Sequence, residues 1–206
     1  MDFDRVGAHD PVTVTGEERE AAIVVPVVTR EDGESILFTK RADHLSDHPG
    51  QMAFPGGGRE PEDDDLLATA LREANEEIGL APAAVHVVGR LDDIRTITSY
   101  SVRPFVGRVP DREYVPNDAE VAEVVTLSVA ALTDLGNYES EHRDHPHYGE
   151  VRLHFFYVDG YTVWGATAKM LVQLLELATD WEMPPEPDRY AGPDDDLPER
   201  VRDEVQ

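Results

Sequence analysis

The chain has 206 residues, enough for one domain with short tails, and 40 % of them are hydrophobic, enough to bury a core. It carries 43 acidic against 18 basic residues and a formal charge of −25, so its own field repels polyanions and argues against nucleic acid or an anionic membrane as partner. The absence of cysteine excludes disulfides, thiolate metal sites and cysteine nucleophiles.

The basic residues are two lysines, Lys40 and Lys169, and sixteen arginines. Surplus acid with lysine nearly absent is the surface expected of a halophilic protein, because concentrated salt screens self-repulsion within a few Å. Residues 1–19 read as an N-terminal extension. They hold neither a basic start nor an apolar stretch, and no run reaches 18 apolar residues. Neither a signal peptide nor a membrane span is expected, and a cytoplasmic location is.

The apolar run AAIVVPVVT (21–29) predicts a buried strand, and SILFTKR (35–41) its partner across the turn REDGE. Residues 42–63 are rich in His, Pro and Gly and read as loop. A helix is predicted from about Asp65 to Ile78, with Gly79 where a C-cap belongs and Pro82 behind it. VHVVGRL (85–91) and YSVRPFVGRV (100–109) predict strands. Residues 118–135 predict a strand near 123–127 and then a short helix. EVRLHFFYVDGYTVWG (150–165) predicts a hairpin turned at Asp159-Gly160, and TAKMLVQLLELATDW (167–181) an amphipathic helix. After Trp181 the chain has too few apolar residues to fold alone, so 182–206 is expected to be a disordered acidic tail. This order of elements predicts an α/β domain over 20–181, with a mixed sheet flanked by helices.

The chemistry concentrates in GGGREPEDDDLLATALREANEEIGL (56–80). On a helical wheel Leu67, Ala70, Leu71, Ala74 and Ile78 form one stripe that faces the core. Glu73 and Glu77 lie one turn apart at the edge of that stripe, and Glu76 points further toward solvent, one turn after Arg72. Two carboxylates ~5–6 Å apart at an effective dielectric near 20 repel by roughly 3 kcal/mol. A divalent cation removes that cost, and carboxylate oxygens suit Mg²⁺ or Mn²⁺. About a fifth of this chain is acidic, so the count of acids alone decides nothing. The fixed set of types and spacings does: Gly58, Arg72-Glu73, Glu76-Glu77 and Gly79.

That set resembles the Nudix box, G-x5-E-x7-R-E-U-x-E-E-x-G-U, where U is a bulky aliphatic residue. Gly58, Arg72, Glu73, Glu76, Glu77, Gly79 and Leu80 match in register. The first Glu of the box falls on Asp64, for which Asp63 or Asp65 could substitute, and the U after Arg-Glu falls on Ala74. Upstream, LFTKRADHLSDHPGQMAFPGG (37–57) is similar to the signature of the coenzyme A pyrophosphatase branch through Leu37, Thr39, Arg41, Ala42, Gly50 and Phe54-Pro55-Gly56-Gly57. Its usual basic position falls on Ser46, with His44 and His48 as partial replacements. ITSYSVRPFVG and YTVWGATAKML further resemble that branch, so the likeness spans about residues 20–180.

The resemblance implies a Nudix α/β/α sandwich that hydrolyses a diphosphate bond with Mg²⁺ or Mn²⁺. The implied substrate is a small nucleotide diphosphate, with coenzyme A or acyl-CoA first, and ADP-ribose or NADH as the alternative. A nucleotide-sensing module without activity is the reading from a different class. It implies Glu73 and Glu77 as metal ligands with Glu76 as a third, the alternative for Glu76 being a surface pair with Arg72. Arg72 is expected to orient a box carboxylate, and Gly56, Gly57 and Gly58 to let backbone approach the substrate. Glu120, with Glu123 as its neighbour, is the candidate general base, and Arg41 the candidate for a substrate phosphate. His142, His145, His147 and His154 match no zinc spacing and read as loop histidines. No element of the sequence sets an oligomeric state.

Overall fold

The structure, a computed structural model, describes residues 1–96, 99–145, 149–192 and 195–202. In chain order it runs α1 (Phe3–Ala8), β1 (Arg19–Arg30), β2 (Gly33–Arg41), β3 (Met52–Ala53), β4 (Gly56–Gly58) and α2 (Leu66–Ile78). There follow β5 (His86–Arg90), β6 (Ile94–Arg95), β7 (Tyr100–Val109), β8 (Val121–Ser128) and α3 (Val129–Leu132). The last third holds β9 (Tyr138–His145), β10 (Gly149–Val158), β11 (Tyr161–Trp164), α4 (Gly165–Ala178), β12 (Arg189–Ala191) and α5 (Glu199–Arg202). Among the described residues no helix is long and apolar enough to cross a membrane.

β1 is buried over eight consecutive residues, 21–28, because both faces of its sheet are covered. Alternate residues feed two separate cores. Ile23, Val25 and Val27 join Phe38, Phe156, Leu171 and Trp181 between the two sheets and α4, whereas Ala22, Val24 and Val28 pack with Ala70, Ala74 and Ile78 of α2. The larger sheet has the order β3-β2-β1-β7-β5, with β4 on β1, β6 on β7 and β8 on β2; the smaller runs β11-β10-β9-β12. β1 and β7 are parallel and β1 and β2 antiparallel, so the sheet is mixed, as expected for the α/β class.

β1 changes partner along its length, and this opens the site. Its start pairs with β4, Ala22 opposite Gly57, and its end with β2, Val27 opposite Ile36. Pro26, which has no N–H to give to a ladder, lies between the two pairings. The predicted turn at Asp159-Gly160 forms with positive φ at both residues (53° and 85°), which suits a tight hairpin.

Two expectations differ from the structure. The strand β9 carries His142 and His145 on backbone that the sequence reads as loop, and His154 lies on β10. Its pattern YESEHRDH shows no apolar alternation, because the strand is held by pairing with β10 and β12. The acidic stretch 182–206 carries β12 and α5 in its described part. There the Arg189 guanidinium pairs with buried Glu141, Arg152 donates to the carbonyls of Pro184 and Glu186, and Val201 is buried. Arginines grip the backbone of a segment too polar to fold by burial. The N-terminal extension is likewise tied down. Val6 of α1 enters the main core, and the carboxylates of Asp92 and Asp93 accept the N–H groups of Val12 and Val14.

Candidate active site

α2 begins where the Asp65 carboxylate accepts the Ala68 N–H at 2.8 Å and ends at Gly79, whose left-handed φ of 65° closes the last turn. Its buried face holds Leu66, Thr69, Ala70, Ala74, Glu77 and Ile78. Compared with the expected stripe, Leu66 takes the place of Leu67, and Leu71 is only partly buried. Glu77 therefore lies inside the protein, 7 % exposed, and not at the edge of the stripe.

The three glycines of β4 serve distinct ends. The Gly56 N–H donates to Glu77 Oε2 at 3.1 Å. Gly56 has a φ of 150°, and a Cβ there would run into Ala22 O and Ile23 Cα. A Cβ on Gly57 would lie 2.5 to 2.7 Å from the carboxylate of Glu73. At Gly58 a Cβ would meet nothing within 4 Å, and its carbonyl accepts from Arg72 Nη2 at 3.1 Å. Glu73 and Glu77, a turn apart on α2, thus both abut the backbone of β4.

Arg72 is a bracket. Its Nε and Nη2 donate to Asp63 Oδ1 and Oδ2 at 2.9 and 3.0 Å, and its Nη1 to Glu73 Oε1 at 3.0 Å and Glu76 Oε2 at 3.3 Å. Asp63 also accepts from Glu60 N–H and the Thr69 hydroxyl, and the Arg72 hydrogen bonds hold its pKa well below the carboxylate range. Of the three candidate aspartates, Asp63 occupies the buried position, Asp65 caps the helix and Asp64 is exposed. Glu76 stays exposed, its side chain 57 % accessible, and it pairs with Arg72 one turn before it.

Burial pushes the Glu77 pKa up to about 8, and the charges of Glu73 and Glu120 push the same way against the Gly56 N–H and Arg41. Burial likewise raises Glu73, opposed by Arg72 and reinforced by Glu76 and Glu120. Glu120 comes from elsewhere in the chain. The turn that carries it is docked by Asn117 N–H on Glu77 O at 2.7 Å and by Ala42 N–H on Glu120 O at 2.9 Å. Glu123, its alternative, is engaged instead by the Tyr161 hydroxyl at 2.7 Å. Arg41 ends β2, within electrostatic reach of Glu77, while its Nε donates to Asp47 O at 3.2 Å. Glu73 and Glu77 therefore abut Gly57 and Gly56, Glu120 and Arg41 act on Glu77 through their charge, and Arg72 pairs with Glu73 and with exposed Glu76.

Among the described residues no three His, Asp or Glu side chains converge as a preformed metal cage. The donor set nevertheless suits a hard divalent cation: Glu73 and Glu77 offer oxygen ligands only, and the charge of Glu73 raises the cost of ionising Glu77. Among the described residues the histidines form no such centre. His142 Nδ1 contacts Glu150 at 2.8 Å, His154 Nδ1 contacts the Tyr138 hydroxyl at 2.8 Å, and His147 and the His145 side chain lie outside the described residues.

A family model for the NUDIX domain matches residues 18–152. The chain is 38 % identical over 160 residues to the uncharacterized Nudix hydrolase NudL of Enterobacter sp. (strain 638), covering 76 % of this chain and 81 % of that protein. It is 37 % identical over 161 residues to the protein of the same description from Yersinia pestis (strain Pestoides F), covering 77 % and 79 %. Among solved structures, a MutT/nudix family protein from Enterococcus faecalis superposes with a TM-score of 0.53 at 13 % identity, over 79 % of this chain and 62 % of that one.

Proposed function

The chain belongs to the NUDIX family, and we propose that Glu73 and Glu77 hold the Mg²⁺ or Mn²⁺ with which it cleaves its substrate. Its reaction is the Nudix-type hydrolysis of a diphosphate linked to a nucleoside. A divalent cation bound there neutralises phosphate charge and lowers the pKa of water. Water attacks one phosphorus, the bridging P–O bond breaks, and two phosphomonoesters leave. Glu120 takes the proton of the attacking water, and Arg41 binds a phosphate oxygen through its guanidinium. The backbone of Gly56, Gly57 and Gly58 keeps the substrate close to the glutamates. Arg72 is a positioning residue, which aims Glu73 and ties it to Asp63 and Gly58 O. Glu76 is the third candidate ligand, and it reaches the site only by leaving Arg72.

The observation that carries this reading is a buried Glu77 and a half-buried Glu73, one helical turn apart and both pressed against the glycine backbone of β4. The substrate class is a nucleoside diphosphate joined to a further group, for which ADP-ribose and NADH are representatives. Coenzyme A or acyl-CoA, cleaved to 3′,5′-ADP and (acyl-)4′-phosphopantetheine, is the narrower reading. It is supported by the 37–57 segment and opposed by Ser46, an exposed residue where that signature is basic.

The test is product analysis by chromatography in molar KCl with Mn²⁺, with coenzyme A, ADP-ribose, NADH and a nucleoside triphosphate at equal concentration. Release of 3′,5′-ADP, fastest from coenzyme A, selects the narrower reading. Fastest turnover of ADP-ribose or NADH discards it and keeps the chemistry. No turnover of any by folded protein overturns the proposal in favour of a nucleotide-sensing module.

A further inference from the structure

Glu120 stands on the turn 117–120, all four residues of which are exposed, so burial does not hold it in place. Hydrogen bonds do, and Asn117 is common to most of them. Its N–H donates to the Glu77 carbonyl at 2.7 Å, and its own carbonyl accepts from the N–H groups of Glu120 and Val121, each at 2.9 Å. Its side-chain Oδ1 accepts the Ala119 N–H at 3.2 Å. The other side of the turn meets the residues after β2. There the Ala42 N–H donates to Glu120 O at 2.9 Å, and His44 Nε2 contacts Ala119 O at 3.1 Å.

The anchor ties the turn to the metal glutamates. A helix leaves its last four carbonyls without partners of its own. At the end of α2, Asn75 O accepts the Gly79 N–H, and Glu77 O accepts that of Asn117. Glu77 thus gives its carboxyl to the Gly56 N–H and its backbone to the turn that carries Glu120. The turn lies close enough that the charge of Glu120 makes both Glu73 and Glu77 harder to ionise.

Nearly any residue at position 117 would supply the N–H and the carbonyl; only Oδ1 depends on asparagine. A side-chain oxygen that accepts the N–H two residues on closes an Asx turn, and here it fixes the residue just before Glu120. The Ala119 N–H is exposed, so water can replace Oδ1 at little cost to folding. What is lost is the place of Glu120. We propose that Asn117 is a positioning residue of the reaction: its Oδ1 locks the turn onto the Glu77 backbone and so sets where Glu120 stands relative to Glu77. The role deepens, and rests on, the reading of Glu120 as the general base.

The experiment is steady-state kinetics with Mn²⁺ in molar KCl, on whichever of coenzyme A, ADP-ribose and NADH is turned over fastest. The proteins are the full chain, Asn117→Ala, Asn117→Asp, Glu120→Gln and the double variant Asn117→Ala/Glu120→Gln. Glu120→Gln should lower kcat about 100-fold, the loss of a general base. Asn117→Ala should lower kcat roughly tenfold through misplacement of that base, with KM and Mn²⁺ affinity unchanged. Asn117→Asp keeps the oxygen, and with its added charge screened by the salt it should recover most of the kcat. The double variant should be no slower than Glu120→Gln alone, because no base is left to misplace. Wild-type kcat in Asn117→Ala, additive losses in the double variant, or a weakened Mn²⁺ site in Asn117→Ala would each overturn the positioning role and leave Glu120 as the base. Full kcat in Glu120→Gln sinks the base itself. Amide exchange followed by NMR reads the turn without turnover: the Ala119 and Glu120 N–H groups should exchange faster in Asn117→Ala than in wild type or Asn117→Asp. Equal rates in all three would show that Oδ1 does not hold the turn.

Discussion

Arg72 and Asp63, nine residues apart, meet as a two-point pair, with Nε–Oδ1 at 2.9 Å and Nη2–Oδ2 at 3.0 Å. The pair joins the loop before α2 to its second turn. The free Nη1 is thereby fixed on Glu73, and Nη2 also reaches Gly58 O. A guanidinium fork held at one end is rigid at the other, so the Asp63 carboxylate sets the place of Glu73 without touching it.

Removing that anchor strips a half-buried guanidinium of its two-point partner and leaves it on Glu73, Glu76 and Gly58 O. Asp63→Ala should cost about 2 kcal/mol in urea denaturation, whereas Asp64→Ala, at an exposed position, should stay within about 0.5 kcal/mol. Equal effects of the two substitutions would show that Asp63 is not the anchor.

Gly57 and Gly58 should separate catalysis from folding. Gly57→Ala drives a methyl into the Glu73 carboxylate, and a displacement of about 1 Å at a reacting centre costs on the order of 100-fold in kcat. Gly58→Ala meets open space and should melt at the wild-type temperature. A Gly57→Ala protein with full kcat would mean that Glu73 can hold its ligand from elsewhere.

Glu77 makes the metal-free protein sensitive to alkali. Its pKa stands at about 8 in the folded chain against an ordinary 4.5. The neutral form therefore favours the fold, fully below pH 4.5, and that stability is lost as pH rises through 8. Scanning calorimetry from pH 6.5 to 9 should show a falling Tm. Glu77→Gln should flatten the fall and abolish hydrolysis, and Mn²⁺ should restore the wild-type Tm. A wild-type Tm that is level across this window would contradict the burial of an uncompensated carboxyl.

His154 acts in the opposite, acidic window. Burial, helped by Arg152 and Lys169, pulls its pKa down to about 4 from 6.5, so the folded chain binds fewer protons than the unfolded one between those values. Stability should fall as pH drops from 6.5 to 4, by up to about 3 kcal/mol. His154→Gln, still able to meet the Tyr138 hydroxyl, should remove that slope in denaturant melts. An unchanged slope would assign the acid sensitivity to other groups.

Local signals in the sequence already determined the helix that carries the chemistry. Asp65 and Gly79 mark its ends, and a period of 3.6 places Glu73 and Glu77 on one side, because caps and periodicity act over three or four residues. The same holds for β1, β2, β7 and the turn at Asp159-Gly160, whose apolar runs and turn residues carry their own geometry. The tertiary structure alone decided which aspartate pairs with Arg72, since Asp63, Asp64 and Asp65 are identical in type and differ only in what the fold brings to them. It also decided that Glu77 is buried, because β4 crosses its helix 21 residues upstream in sequence, and that Glu123 turns to Tyr161. The strand β9 and the ordered part of the tail belong with these. Their polar sequences hold shape through arginines 30 to 50 residues away, and such long-range partners leave no period in the segment that they hold.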